Sequence, residues 1–418
     1  MHLATPEVDG DLAVQLADLT VEVRDRDLKR LGLIRPEELN LRIEGEHNGI
    51  GTWKLELAAE HPLASVLRQP GSGIIVTGPQ DILMSGPTVS PVVVTSADDP
   101  EGMVSVEGVS DSVVLADMLA WPQPSNPDPT TQALSHDVRQ GDAESVIHGF
   151  VNANCGPAAP AARRKARLRM GTNLARGPQV KKSARFPVLG ALIADVAVMA
   201  GLGFRVVQRG TELVFETYQV TDRSLDIRLD VLTGTLASQS VAVAPPGATQ
   251  VIVGGQGELT NRSFLAATTP EALAAEAEWG RRIERFVDQR QTDDPAEYQQ
   301  AADEVLAEEG FTAVAMRAVP TDDLTMRFGI DWHLGDRVAA VVGSGELTAV
   351  ATGYVLVVGA GGVQLGAILG DPRQFDRNET LNRRLEDARK RISALERNAE
   401  IGTTATDDAA VMSLMGVW

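Results

Sequence analysis

The chain has 418 residues, a formal net charge of −19, one cysteine and 4% aromatic residues; roughly two to four domains are expected from that length. The acidic balance argues against a general grip on nucleic acid, the lone Cys155 excludes an intramolecular disulfide, and the scattered histidines lack zinc-ligand spacing. No apolar run reaches the ~20 residues of a membrane span, and no basic region followed by an apolar stretch opens the chain, so synthesis in a cytoplasm without export is expected.

Residues 1–121 read as short strands and turns. Leu39, Leu41 and Ile43 alternate with polar residues, and Trp53, Leu55 and Leu57 do so after Gly49-Ile50-Gly51, the pattern of half-buried antiparallel strands. Residues 62–68 predict a short helix and 73–77 a strand. The stretches 82–84, 92–94 and 103–106 continue the series, and 112–120 predict a closing helix. Pro122, Pro124, Pro127 and Pro129 make 122–141 a linker or extended strap. Residues 142–220 read as α/β: Ala143, Val146, Ile147, Phe150 and Val151 fall at helical spacing, as do Leu189, Leu192, Ile193, Val196, Ala197 and Ala200. Gly201 and Gly203 stop that second helix, and 204–207 pair with 213–218 across Arg209-Gly210.

Strands return at 225–229 and 250–253. Thr269-Pro270-Glu271 opens a helix expected to run to about residue 287, and Asp294-Pro295-Ala296-Glu297 opens another that ends at Gly310. Strands resume at 311–319. The β-branched runs 338–342 and 354–358, parted by Gly343-Ser344-Gly345, predict a hairpin. Residues 373–398 predict a helix in which Leu381, Leu385, Ala388, Ile392 and Leu395 form a heptad seam. So short a seam needs neighbouring domains to hold it; packing on its own chain is the alternative. In the tail, 402–418, Met412, Leu414, Met415 and Trp418 could dock on a partner.

Three features imitate active sites. Val251-Ile252-Val253-Gly254-Gly255-Gln256-Gly257 runs from a strand into glycines like the start of a dinucleotide loop. No third glycine falls at the needed spacing and Thr260-Asn261-Arg262 does not open a helix, so a turn between strands fits better. Val358-Gly359-Ala360-Gly361-Gly362 fails the same test. Asp322, Asp323 and Asp331 flank His333 and could do acid–base work, although aspartates in a Pro-Thr-Asp-Asp turn commonly accept backbone hydrogen bonds. No Gly-x-Ser-x-Gly elbow occurs, and no His-Glu-x-x-His. Cys155 falls at a helix C-terminal end, where the dipole disfavours a thiolate. No catalytic residue, cofactor or metal is expected.

Residues 163–185 hold nine Lys or Arg and no acid. Arg163, Arg164, Lys165, Arg167, Arg169, Lys181, Lys182 and Arg185 are candidates for a patch that meets an acidic protein, another copy of this chain among them, or a nucleic acid; a solvated loop is the plain alternative. The near absence of aromatics in this stretch argues against stacking on single-stranded bases.

Taken in order, several short pieces resemble the hub, or minor tail, proteins of siphophages that infect actinobacteria. They are Gly51-Thr52-Trp53-Lys54-Leu55, Pro70-Gly71, Ala120-Trp121-Pro122-Gln123-Pro124 and Gly156-Pro157, then Val253-Gly254-Gly255-Gln256-Gly257-Glu258, Gly280-Arg281-Arg282-Ile283-Glu284 and Phe328-Gly329-Ile330-Asp331-Trp332-His333-Leu334-Gly335-Asp336. The likeness spans about residues 10–371, and such hubs look related in fold to the baseplate hub of contractile phages. With the element reading it gives an α+β, mainly β fold. A first antiparallel, tail-tube-like β-barrel takes 1–121, the linker 122–141, and an α/β domain 142–220. A second barrel takes 221–265 and 311–371, a helical insertion 266–310, a C-terminal coiled-coil helix 372–400, and a flexible tail 401–418.

The resemblance also implies a homotrimer. It would form a ring below the tail tube, with tip or spike proteins beneath it, and a tape-measure protein and DNA passing through the lumen without specific binding. Its place would be the virion tail tip. The rival reading is a tail-tip cell-wall hydrolase or peptidase, which requires convergent carboxylates or a metal site.

Overall fold

The computed structural model describes residues 19–94, 102–257, 259–320, 328–342, 345–359 and 362–370, and strand-period alternation builds most of it. The first third forms β1 (Thr20–Arg24), β2 (Arg30–Ile34), β3 (Leu39–Glu46), β4 (Thr52–Ala58), the single turn α1 (Ala64–Leu67), β5 (Gly73–Thr77), β6 (Ile82–Val94), β7 (Met103–Val109) and a second single turn, α2 (Val113–Ala116). In β3, Leu39, Leu41 and Ile43 point inward while Asn40, Arg42 and Glu44 point outward, as the two-residue period requires. β6 serves two layers. Its first half pairs with β5, from Ile82↔Thr77 to Pro87↔Gly73; its second half pairs with β7, from Thr88↔Gly108 to Val94↔Met103. Val21, Val23, Ile34, Ile74 and Val76 from one layer share a core with Leu41, Ile43, Leu55, Leu57, Val104 and Val106 from the other.

The middle of the chain forms β8 (Asp137–Asp142), α3 (Ala143–Asn154), β9 (Leu168–Met170), β10 (Gln179–Ala184), α4 (Leu189–Ala200), β11 (Leu202–Arg209) and β12 (Glu212–Gln219). Asp142 caps α3 by accepting from the Ser145 N–H at 2.8 Å. α4 ends at Gly201, whose φ of 61° is left-handed. Val146, Ile147, Phe150 and Val151 of α3, Leu189, Leu192, Ile193, Val196 and Ala197 of α4, and Phe204 and Phe215 of the β11–β12 hairpin form a second core. The proline-rich stretch 122–141 is fastened down rather than slack. Gln132 accepts from the Gln123 N–H and Gln123 from the Ala133 N–H. From Asp137 the chain is already β8, antiparallel to β10.

The last third forms β13 (Arg228–Leu229), β14 (Leu236–Ala244), β15 (Gln250–Gly254), β16 (Phe264–Ala267), α5 (Pro270–Trp279), β17 (Glu284–Asp288), α6 (Pro295–Glu309), β18 (Ala313–Pro320), β19 (Arg337–Val342), β20 (Gly345–Gly359) and β21 (Gly362–Gly370). β20 repeats the device of β6. Its first half pairs with β19. Its second half pairs with β21 on one edge and with β3 on the other, from Gly353↔Glu46 to Val358↔Leu41. That last ladder merges both β modules into one 13-stranded sheet, eleven strands along the path β14-β18-β21-β20-β3-β4-β7-β6-β5-β1-β2 with β19 and β13 branching from β20. Among the described residues the path is open, and neither of the two closed barrels expected from the sequence is seen there. The physical reason is that β3 commits its outer edge to β20.

Three aromatic rings lie across glycines directly opposite on the neighbouring strand: Tyr354 over Gly45, Trp53 over Gly108 and Tyr218 over Gly203. A Cβ on Gly45 would stand 2.0 Å from the Tyr354 ring, and one on Gly203 would stand 2.1 Å from the Tyr218 ring. No side chain fits there while the ring stays.

Some predicted elements differ. The helix expected to reach residue 287 stops at Trp279 because Gly280 takes a φ of 58°. Glu284–Asp288 then forms β17, parallel to β15. The insertion therefore has a small sheet of its own, ordered β16-β15-β17. Tyr298, Ala302 and Leu306 of α6 pack with Val251 and Val253 of β15. The helix expected over 112–120 is the single turn α2. Leu225, expected in a strand, is 99% exposed, and β13 begins at Arg228. Residues 371–418, with the predicted helix, the seam Leu381, Leu385, Ala388, Ile392 and Leu395, and the tail, lie outside the described residues.

Candidate functional site

Where the parts of the chain meet, buried polar side chains lie beside small apolar contacts such as Ile75, Ile82 and Val207. Arg24 of β1 is buried and donates to Asp111 Oδ1 at 2.6 Å, to Asp111 Oδ2 at 2.9 Å and to Gln208 Oε1 at 2.7 Å. Ser85 Oγ donates to Asp111 at 2.7 Å and accepts from the Gln208 N–H at 2.8 Å. One buried charge pair, held in the two-pronged geometry Arg and carboxylate favour, thus ties β1 and β6 to β11.

A cleft of about 540 Å³ opens beside this knot, with Asp81, Arg205, Tyr218, Asp336 and Tyr354 on its walls. Arg205 holds Asp81 at 2.6 Å and Glu216 at 3.0 Å. Burial works against the Asp81 charge, but hydrogen bonds from Arg209 and Arg205 outweigh it and hold the carboxyl well below the usual range. Burial also opposes the Asp336 charge, but the His333 side chain and N–H, the Thr221 N–H and Arg223 outweigh it and lower its pKa, with the His333 N–H at 2.9 Å and Arg223 at 3.1 Å. Tyr354 donates to Leu83 O at 3.0 Å. His47 sits between Tyr218 and Asn48, and burial pushes its imidazole down to about 4, against the opposing pull of Asp336. Asp81 with Arg205 and Glu216, and Asp336 with Arg223, thus pair with one another along the cleft.

A third cluster imitates a hydrolase triad. Glu144 is fully buried on α3 and takes Arg176 at 2.7 and 2.9 Å. Thr217 Oγ1 lies 2.6 Å from Glu144 Oε1 and 3.0 Å from His148 Nε2. The protons run the wrong way for catalysis. Burial would raise the Glu144 pKa, but Arg176 and Thr217 hold it down at about 2, so the carboxylate only accepts. Thr217 gives Glu144 its single proton, and His148 must then donate to Thr217. An imidazole that donates to a hydroxyl cannot take that hydroxyl's proton as a triad base does. Sequence reading missed this cluster because its members share no motif; the one signal was polar Glu144 and His148 on the helix face that is otherwise apolar.

The basic stretch finds most of its acidic partners within the chain. Lys181 meets Asp294 at 2.9 Å and Glu297 at 2.8 Å, and Lys182 meets Glu304 and, at 3.3 Å, Asp195. Both lysines thereby fasten α6 of the insertion to β10. Arg169 pairs with Glu212 at 2.5 Å, and Arg167 with Asp27 at 3.7 Å. Arg163 lies 3.9 Å over the Trp121 ring and donates to Leu119 O at 2.6 Å. Arg164, Lys165 and Arg185 are exposed and have no carboxylate partner among the described residues. Within the candidate patch, Lys181 and Lys182 thus already meet acids of their own chain. Their acids come from α6, more than 100 residues away (113 for Asp294, 122 for Glu304).

Among the other sequence candidates, Asp322 and Asp323 lie outside the described residues. His333 sits in the loop before β19, against Asp336. Gly254-Gly255 leads from β15 into β16, its antiparallel partner, so this glycine run is a connection between strands. Cys155 is buried at the end of α3, and burial pushes its thiol up to about 12.

A sequence profile of the Siphovirus ReqiPepy6 Gp37-like protein matches residues 20–371. A search of curated proteins by sequence finds no match. In fold the chain is similar to the 43 kDa tail protein of prophage MuSo2 from Shewanella oneidensis, with a TM-score of 0.52 and 9% identity over 86% of this chain and 99% of that one. The tail protein from Neisseria meningitidis MC58 gives a TM-score of 0.52 at 14% identity, over 85% of this chain and 97% of that one. Prophage tail protein gp18 from Listeria monocytogenes EGD-e gives 0.52 at 10% identity, over 89% and 99%. Identities this low speak to fold alone, whereas the profile covers most of the chain. The chain belongs to the Siphovirus ReqiPepy6 Gp37-like family, and it carries the fold of solved phage tail proteins.

Proposed function

We propose that this chain is a structural hub of a siphophage tail: a homotrimeric ring that joins the tail tube to the host-facing tip. The observation that carries the reading is how the two β modules are chained. The last strand of the first module, β3, pairs with the crossing strand of the second, β20. Among the described residues two edges of the same kind are left over. One is β14, the last strand of the second module; the other is the second half of β6, the crossing strand of the first.

Strand directions alternate along β14-β18-β21-β20-β3-β4-β7-β6. The two end strands therefore run oppositely, and β14 of one copy can meet β6 of the next antiparallel, as β3 meets β20. β14 and residues 88–94 hold no charged residue, whereas solitary edges are commonly guarded by charge. Pro91 is the one position there without an N–H. Val89, Val92 and Val243 are exposed. A head-to-tail contact of this kind closes into a ring when its rotation permits. On this reading the barrels expected within one chain are completed between copies.

Three copies of two modules would give a sixfold-like ring beneath the tail-tube proteins, with tip or spike proteins below. The tape-measure protein and DNA would pass through without specific binding. The seam Leu381, Leu385, Ala388, Ile392 and Leu395 would gather three helices, and Arg164, Lys165 and Arg185 are left for an acidic neighbour. The protein would then reside in the virion, at the tail tip. Negative-stain images and mass photometry of the full chain test this: threefold rings with a central hole are expected, and solitary particles or twofold dimers overturn it. Release of muropeptides from host cell wall by the purified protein would put the hydrolase reading in its place.

A further inference from the structure

His47 stands where the first β module, the α/β part and the second β module touch. Its backbone N–H donates to Thr352 O at 2.9 Å. Its ring Nδ1 lies 2.9 Å from Tyr218 Oη, and Nε2 lies 3.1 Å from Asn48 Nδ2. The Asn48 amide is oriented by its other partners: Oδ1 accepts from the Phe204 N–H at 2.9 Å, and Nδ2 donates to Leu202 O at 3.1 Å. The group facing His47 is thus an NH2, which has only protons to offer. Nε2 must accept, and the single ring proton sits on Nδ1, directed at Tyr218 Oη.

A second proton would have to enter at Nε2, against the Asn48 NH2. The surroundings give it little help. Asp336, from the second module, is the one group that favours an imidazolium, and it is already engaged by Arg223, the His333 N–H and the Thr221 N–H. Tyr218 faces the ring from β12, His333 stands beyond Asp336, and Glu46 precedes His47 in its own chain segment. Gly335 packs so close that a Cβ there would lie 2.8 Å from the ring, which leaves no room to turn away. We propose that His47 is an acid-sensitive bolt: its protonation breaks the Asn48 contact and loosens β11 and β12 from the first β module before the whole chain unfolds. The inference stands whether or not copies form a ring.

The sign follows from linkage. The imidazole titrates at about 4 in the folded chain against 6.5 ordinarily, so the unfolded chain takes up the proton first. The stabilising contribution is intact above pH 6.5, falls as pH falls, and is gone once pH passes about 4.

Chemical denaturation of the full chain between about pH 7 and pH 4 tests this against His47→Gln, which donates and accepts but cannot be charged. The wild-type unfolding constant should rise by up to roughly 300-fold more than the variant's, about tenfold for each pH unit between the two titration points. Equal pH dependence in both overturns the proposal. Asn48→Asp sets an acceptor before Nε2, so the acid response should shrink or reverse; an unchanged response also overturns it. Hydrogen exchange of wild-type peptides covering 202–209, corrected for intrinsic rates, should quicken on acidification while those from β7 do not. Uniform quickening overturns the local mechanism.

Discussion

The α/β part is fastened at two places by contacts to charged side chains, and the two differ in burial. Toward the first β module, Gln208 accepts from Arg24, whose own pair with Asp111 lies within that module with side chains 2% and 4% exposed. Toward the insertion the contact is Lys181 with Asp294, 34% and 36% exposed, together with Lys182 and Glu304. A buried pair contributes little net stability beside an apolar substitute, yet losing one partner strands the other in a medium that cannot solvate it. A surface pair gains little, and salt screens it. The first contact fixes a single geometry; the second sets where an insertion with its own core rests.

The comparison can be broken at three points. Arg24→Ala leaves Asp111 buried and unpaired and should destabilise the chain by about 3–5 kcal/mol in urea denaturation, with little change as salt rises. A loss that salt erases would place this pair in the same class as the lysines. Gly45→Ala drives a methyl into Tyr354 on the strand that joins the modules and should cost about 1–3 kcal/mol. Tyr354→Ala added to it should recover part of the clash, and no recovery would mean the ring is not the obstacle. The smallest effect is expected from Lys181→Ala with Lys182→Ala: a slight fall in melting temperature at low salt that vanishes near 1 M, where the screening length is about 3 Å. A fall that persists at high salt would show that more than charge holds the insertion there.

Much of this was legible where a period is short and local. Leu39, Leu41 and Ile43 announce β3, and Leu189, Leu192, Ile193 and Val196 announce α4, because one buried face imposes the spacing. The cap at Asp294 and the stop at Gly310 also read directly. β17 did not, because five residues of alternation after a convincing helix carry less weight than the single glycine that ends it. The junctions were illegible for a different reason. Arg24 and Gln208 lie 184 residues apart, and nothing local distinguishes an arginine that will be buried from one that will be solvated. The same holds for Lys181 and Lys182, whose acids sit on an element more than 100 residues later (113 for Asp294, 122 for Glu304). Tyr354 and Gly45 could be matched only once the register of β3 on β20 was fixed.

β20 has a consequence for how this protein can be taken apart. Because it borders β3 as well as β19 and β21, a fragment ending before Gly345 would leave β3 with a bare row of backbone donors and acceptors, an invitation to stick to its own kind. Truncation before β20 is therefore expected to unsettle β3 at the front of the chain as well as the strands at the back.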